Sequence, residues 1–159
     1  MDQVTMRDLA DVTAGAIASA YTHATAGGAG DNTAVVGLTI DRNSYGVPLS
    51  GVFAVAYEAA LGQGNTLTIK NAKVEHSQDG ATWADYHAFT DPGVVDTGGA
   101  GGTTQRGVLR LGCDLKSAYR YVRFDWTPDL SAANTDTVSA IASATLAGFD
   151  RLVPPTSAV

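Results

Sequence analysis

Charged side chains are scarce in this sequence. Asp, Glu, Lys and Arg make up 16% of the 159 residues, whereas an average soluble domain has about 25%. Because so little charge is available to solvate the surface, we expect part of that surface to be covered by partners in an assembly. The ten Lys and Arg residues are scattered and the net charge is −6. No basic stripe is available to neutralise phosphates, so we expect no nucleic-acid binding.

Cysteine and long apolar runs are nearly absent as well. Cys113 is the sole cysteine, which excludes an intrachain disulfide and a thiolate-rich metal site within this sequence. Its setting, LRLGCDL, is typical of a strand end, so we expect a small buried side chain rather than a nucleophile. No stretch approaches the ~20 apolar residues of a membrane span, and the acidic start MDQVTMRDLAD does not match a signal peptide. We therefore expect synthesis in the cytoplasm and no membrane association.

The sequence does contain a series of short β-like runs separated by turn residues. Successive runs begin about ten residues apart, with no helical segments between them. They are AVVGLTID (34–41), VFAVAYEA (52–59), TLTIKNAKVEHS (66–77), TWADYHAF (82–89), VLRLGC (108–113), AYRYVRFDWT (118–127) and TVSAIASATLAGF (137–149). A helix competes for the last run because of its alanines, but the period of two favours a strand. The pattern predicts an all-β, antiparallel β-sandwich, either a jelly roll or an immunoglobulin-like fold.

The chain divides into three predicted parts. Residues 1–33 are predicted to be an N-terminal arm and flexible loop, with either a short helix or an arm that orders against a neighbour over residues 1–20. Residues 34–150 are the β-sandwich domain, and residues 151–159 form an extended, Pro-rich C-terminal tail. Within the sandwich, the Gly-rich residues 91–104 are predicted to be a loop long enough to be functional or mobile.

The segment VEHSQDGATWADYHAF (74–89) combines the residue types of a catalytic site. His76, Ser77 and Asp79 are the types found in a catalytic triad, but neighbours on one strand point to opposite faces, so His76 and Ser77 cannot meet. Asp79 and Gly80 instead favour the tight turn of a hairpin. We therefore predict no catalytic residues and no enzymatic activity.

The same hairpin is the best place for a metal site. His76 and His87 flank the turn, and Asp85 and His23 are further candidate ligands. Symmetric pairing about the turn places His76 opposite residues 83–85 rather than opposite His87. We therefore predict two partly exposed polar residues on a hairpin and no metal.

Carboxylates elsewhere also lack a recognisable site pattern. Asp91 and Asp96 could contribute to a calcium loop, but the spacing of the known calcium-binding motif is missing. The two glutamates, Glu58 and Glu75, both fall on predicted strands, so a pair of glycosidase carboxylates has no good position. The Gly-rich loops contain neither GxxxxGK[ST] nor GxGxxG. We predict no cofactor.

Two tryptophans offer an alternative function. Trp126 shares a strand face with Val122 and Phe124, which predicts a place in the core. Trp83 follows the hairpin turn and is predicted to fold over the hairpin or into the core. If its indole is exposed, it could serve as a stacking platform for a sugar. A carbohydrate-binding or host-adhesion module is therefore the alternative function.

Four segments together resemble a known class of virion protein. They are VGLTIDR (36–42), LSGVFAVAYEAALGQGNTLTI (49–69), VEHSQDGATWADY (74–86) and YRYVRFDWTPDLSAANTDT (119–137). In order and spacing they resemble the small jelly-roll proteins that decorate, or cement, the heads of tailed bacteriophages. The SxDGxxW motif within them also occurs in galactose-binding-like sandwiches.

The resemblance implies a structural protein. It implies a homotrimer seated on the capsid exterior of the virion, where it binds the major capsid protein at capsomer junctions. It also implies no catalysis and no cofactor, and it transfers no site residues to this sequence.

Overall fold

In the computed structural model, the described residues are 13–132 and 135–149. These residues form ten β-strands and one short 3-10 helix, η1. In chain order the elements are β1 (Thr13–Ile17), β2 (Thr22–Thr25), β3 (Ile40–Asp41), η1 (Arg42–Tyr45), β4 (Pro48–Leu61), β5 (Thr66–Ser77), β6 (Ala84–Ala88), β7 (Val94–Thr97), β8 (Thr103–Asp114), β9 (Tyr121–Leu130) and β10 (Thr137–Phe149). The predicted all-β class is confirmed.

The strands form two antiparallel sheets. In the first sheet β10 pairs with β1 and β2 on one side and with β4 on the other, and β8 follows β4. In the second sheet β9 lies between β3 and β5, and β5 also pairs with β6 and β7. The chain passes repeatedly from one sheet to the other, which is the connectivity of a double Greek key. The predicted antiparallel sandwich is confirmed, and its connectivity is that of a jelly roll.

The core lies between the two sheets. Along β10 alternate residues are buried, namely Val138, Ala140, Ala142, Ala144 and Leu146. The period of two therefore outweighs the helix propensity of alanine, because one face of this strand is covered by the second sheet. The large aromatic side chains of the core include Trp126 and Phe124 from β9 and Phe53 from β4.

Residues 13–25 differ from the prediction of an arm and flexible loop over residues 1–33. Strands β1 and β2 both pair with β10 in register. Ala18 and Ala24 bury small side chains in the core. The local sequence carries no large apolar alternation, but the free edge of β10 offers backbone groups that need partners. Residues 1–12 and the predicted tail at 151–159 lie outside the described residues.

The run 34–41 is also less regular than predicted. Only Ile40–Asp41 forms a ladder with β9, and Val35 makes one isolated bridge to Trp126. Between them, the Gly37 N–H donates to the Asp125 carboxylate at 2.8 Å, and the Leu38 N–H donates across to a carbonyl preceding β2. Because the central amides have other partners, the ladder is interrupted.

The Gly-rich residues 91–104 are partly a strand. β7 lies within this segment and pairs with β5, and β8 begins at its end. After β7, the Gly98 N–H donates to the Asn65 carbonyl at 2.8 Å, and the Gly98 carbonyl accepts from the Gly64 N–H at 2.9 Å. These two segments of the backbone approach so closely that a Cβ on Gly98 would collide with the Gly62 carbonyl. Glycine here therefore permits backbone contact.

Candidate interaction surface

The β5–β6 hairpin has the predicted register but no catalytic geometry. His76 pairs with Ala84, and His87 lies opposite Val74. The His76 ring stacks on Tyr119 at 4.1 Å between centroids, and its Nδ1 accepts the Tyr119 N–H at 3.3 Å. Burial lowers the pKa of His76. The imidazole is thus occupied by contacts with Tyr119.

Ser77 and Asp79 organise the turn of this hairpin. The Ser77 hydroxyl is buried and donates to the Asp79 carboxylate at 2.9 Å. The same carboxylate accepts the N–H groups of Ala81 and Thr82, both at 2.8 Å. Gly80 has a φ of 73°, the left-handed conformation that the Asp-Gly pair predicted. The acidic group therefore has a structural role, and its hydrogen bonds hold its pKa well below the usual value.

Replacing Asp79 with asparagine is expected to lower the melting temperature at neutral pH, because an amide oxygen is a weaker acceptor than a carboxylate. The pKa of Asp79 is lowered in the folded state from 3.8, chiefly by backbone hydrogen bonds from Thr82 and Ala81. The stabilisation is therefore present above this value and is lost as the pH falls towards the folded pKa. Melting curves of both proteins between neutral pH and about pH 2 should converge as acid is added. A melting-temperature difference that does not change with pH would contradict this role.

Cys113 is a small buried residue, as predicted. It lies near the end of β8 and is 6% exposed, and burial raises the pKa of its thiol to about 11. From an ordinary value of 9.0, that shift lowers the thiolate fraction near pH 8 by about 100-fold. The folded protein should therefore react with a thiol reagent such as DTNB at least about 100-fold more slowly than the protein in denaturant. Rapid stoichiometric labelling of the folded protein would contradict this.

The other candidate metal ligands form hydrogen bonds or ion pairs within the protein. His23 forms a hydrogen bond with the Ser139 hydroxyl, and Asp85 pairs with Lys73. Asp91 accepts the N–H of Asn71 at 2.8 Å, and Asp96 accepts the hydroxyl of Tyr57 at 3.1 Å. Within residues 13–132 and 135–149, no group of three or more His, Cys, Asp or Glu side chains could hold a metal ion. The absence of a metal from the protein itself stays a prediction.

The outer face of the second sheet carries an ion-pair network that the sequence analysis missed. The Glu75 carboxylate forms ion pairs with Lys73 at 2.6 Å and with Arg123 at 2.5 Å. Lys73 forms a second ion pair with Asp85 at 2.7 Å. Asp125 lies 3.7 Å from Arg123, and its pKa is raised by burial. The available signal was the spacing of two between Lys73 and Glu75 and between Arg123 and Asp125, which places each pair on one strand face. The charges of this face are mutually satisfied.

A small pocket lies beside the hairpin. Its volume is about 230 Å³, and the Arg123 guanidinium lies over the Trp83 ring at 4.4 Å. Trp83 is half-buried at the surface, whereas Trp126 is in the core as predicted. The lining residues are His76, Ser77, Gln78, Asp79, Thr82, Trp83, Ala84 and Tyr119. One indole face is thus covered by Arg123.

The outer face of the first sheet is different in chemistry. We call the outward-facing residues of β1, β10, β4 and β8 the neutral face. Four large apolar residues project from it into solvent, and its other positions are mostly Ala, Gly, Ser and Thr. The large apolar residues are Ile17, Val52, Val108 and Ile141, which are 63%, 40%, 50% and 39% exposed. A contiguous exposed apolar patch is typical of an interaction surface.

The strand register makes this patch continuous. Ile141 lies beside Ala56, which lies beside Val108. In the next row, Ile17 and Ser143 pair on one side of the sheet. The charged groups on this face are the Glu58–Arg106 ion pair at 2.5 Å, Arg110 and Asp114. Two cations and two anions give the face a net charge of zero.

No protein-family model matches this chain, and no curated protein matches it. One solved structure with a similar fold is titled "Structure of infectious bursal disease virus Gx strain", with a TM-score of 0.47 and 12% sequence identity. The match covers 90% of this chain and 34% of that one, so this chain spans about a third of its length. A similarity of this size says nothing about function. No helix within the described ranges is long and apolar enough to cross a membrane.

Proposed function

We propose that this protein is a structural component of a virus particle, specifically a decoration protein that cements the head of a tailed bacteriophage. The observation that carries the proposal is the neutral face, a broad surface with few charges and no net charge on a jelly-roll sandwich. The four-segment resemblance to head decoration proteins supports the same function. The proposed partner is the major capsid protein at capsomer junctions on the capsid exterior, and the proposed protomer arrangement is a homotrimer.

The physical requirements of such a role match this surface. Packaged DNA presses outward on a thin shell, and a protein bound across capsomer joints adds contacts that resist separation. A stable interface buries roughly 1,200–2,000 Å² in total. A surface with few charges loses little hydration when it is covered, because burying unpaired charges is the largest desolvation penalty. This proposed role requires no catalysis, cofactor, nucleic acid or membrane.

The experiment that tests the proposed function is binding to shells. Empty shells of the major capsid protein encoded by the same virus would be mixed with the purified protein and sedimented. We expect co-sedimentation at a fixed stoichiometry and a higher temperature of shell disruption. Light scattering coupled to size exclusion should give about three times the protomer mass of 16.3 kDa. Shells that neither bind the protein nor gain stability would contradict the proposed function.

The pocket beside the hairpin supports a second candidate function, carbohydrate binding. Trp83 and Tyr119 place aromatic rings next to the polar side chains of Gln78 and Thr82, a combination typical of sugar sites. A sugar that binds there should quench Trp83 fluorescence, and Tyr119→Ala should abolish the quenching. Trp126 is buried and serves as the internal reference. A glycan screen with no quenching would remove this candidate.

A further inference from the structure

We propose that the neutral face is the surface that docks on the shell, and that its partner there is a flat protein surface with few charges, among them one carboxylate opposite Arg110. This inference rests on the proposed function and names the part of the molecule that performs it. Three observations on the neutral face carry the inference: two glycines without a folding role, one unpaired cation, and the area of the face.

The first observation concerns Gly15 and Gly112. Both lie inside strands, in one row of the neutral face formed by Gly15, Thr145, Val52 and Gly112. Neither has a positive φ. A Cβ added at either position would meet no atom of the described residues within 4 Å.

Glycine weakens a strand interior, so a glycine there usually has a structural reason. Gly107 on β8 has one, because a Cβ there would collide with the Tyr57 hydroxyl. Gly15 and Gly112 have no such neighbour in the described fold. Glycine in a strand also marks places where another backbone approaches closely. We therefore assign Gly15 and Gly112, at the two ends of this row, to close contact with a partner.

The second observation is Arg110. It projects from the neutral face between Val108 and Gly112, and Ala54 lies beside it on β4. Arg106, two outward positions away along β8, is paired with Glu58, but Arg110 makes no ion pair or side-chain hydrogen bond within residues 13–132 and 135–149. Covering an unpaired guanidinium is costly unless an anion meets it. A partner that covers this face therefore needs a carboxylate at that point.

The charge of the whole molecule favours such a partner. The chain has a net charge of −6, whereas the neutral face sums to zero, so the negative charge lies on the other residues. A partner that carries a carboxylate would meet net negative charge on the rest of the molecule but none on this face. Like charges opposed across an interface disfavour wrong orientations. The charge distribution thus selects the neutral face for contact.

The third observation is the area of the face. Four neighbouring strands at about 4.8 Å spacing, over about ten residues at roughly 3.4 Å each, make a face of roughly 650 Å². Two such surfaces bury about 1,300 Å², which falls within the range of specific interfaces. On the outer face of the second sheet, the charges of Lys73, Glu75, Asp85 and Arg123 already pair with one another. That face therefore has less to gain from a partner.

The experiment measures binding of the full-length protein and its variants to empty shells of the major capsid protein. Gly112→Val adds a side chain at one end of this row of the neutral face. It should leave the melting temperature unchanged or raise it by about 2 °C, since valine favours strands. We expect the same variant to bind shells at least about 30-fold more weakly, because the side chain prevents close approach. Arg110→Gln should weaken binding by about 10-fold and reduce its dependence on salt.

Matched controls lie on β6 of the second sheet and in the segment just before β9. Ala88→Val adds comparable bulk on exposed β6, and Arg120→Gln removes an exposed cation paired with Asp41. Both should bind shells as the wild type does. If the wild type itself does not bind, the proposed function fails. If the wild type and Gly112→Val bind equally, the docking face is wrong while the proposed function stands. If Gly112→Val binds weakly but Arg110→Gln binds as the wild type does, the opposing carboxylate is wrong.

Discussion

Replacing Arg42 with methionine is expected to lower the free energy of unfolding by about 3–5 kcal/mol, the usual result of removing one member of a buried charged network. Arg42 is only 3% exposed, and burial lowers its pKa, although an arginine stays protonated. Its partners are backbone carbonyls rather than carboxylates, so the expected loss comes from hydrogen bonds made by a charged donor. Its guanidinium donates to the carbonyls of Ala118, Tyr119 and Pro48, the last two at 3.0 and 2.7 Å. One side chain thus ties η1 to the start of β4 and to the turn before β9. Methionine would leave these carbonyls without their donor.

Urea unfolding of the wild type and Arg42→Met would measure this loss. The matched control is Arg106→Met, because Arg106 is exposed and pairs only with exposed Glu58. That substitution should change the free energy of unfolding by less than about 1 kcal/mol. Equal losses of unfolding free energy in the two variants would contradict a stabilising role of the buried hydrogen bonds of Arg42.

Replacing Phe53 with alanine is expected to lower the free energy of unfolding by about 3–5 kcal/mol. Phe53 on β4 stacks on Phe124 on β9, with ring centroids 5.1 Å apart and an angle of 17° between the rings. Both side chains are fully buried. This contact joins the two sheets, so its removal leaves a cavity that neither sheet can fill without moving away from its hydrogen-bonded neighbours.

A double-mutant cycle separates the ring contact from simple burial. Phe53→Leu, Phe124→Leu and the double variant should give a coupling energy of about 0.5–1.5 kcal/mol. Val94→Ala, at a position that is 56% exposed, should change stability by less than about 0.5 kcal/mol. Additive effects of the two leucine substitutions would contradict a direct energetic contact between the rings.

Local sequence was sufficient to predict the elements that are determined by neighbouring residues. The runs 66–77 and 137–149 alternate clearly and match β5 and β10. The Asp79–Gly80 turn and the position of His76 opposite Ala84 followed from turn chemistry and strand geometry. Burial of Trp126 followed from its place among the apolar residues of one strand face. In each case the deciding interaction lies within a few residues along the chain.

Contacts between distant segments decided the elements that the sequence analysis missed. Strands β1 and β2 are built mainly from Ala, Gly and Thr, which give no apolar alternation, and they form because β10 has a free edge. The strand predicted at 34–41 is interrupted because Asp125, on another strand, takes the Gly37 N–H. Neither effect can be found by inspecting the segment alone, since the competing partner is remote in sequence.

For the candidate interaction surface, too, local sequence determined some features and the tertiary structure determined others. The sequence by itself determined that charge is scarce and that one sandwich domain forms. Which surface is neutral was decided only by the tertiary structure. Val52, Val108 and Ile141 belong to one patch because β4 lies between β8 and β10. Strand order within a sheet depends on long-range pairing and core packing, and a local pattern of alternation carries no information about either.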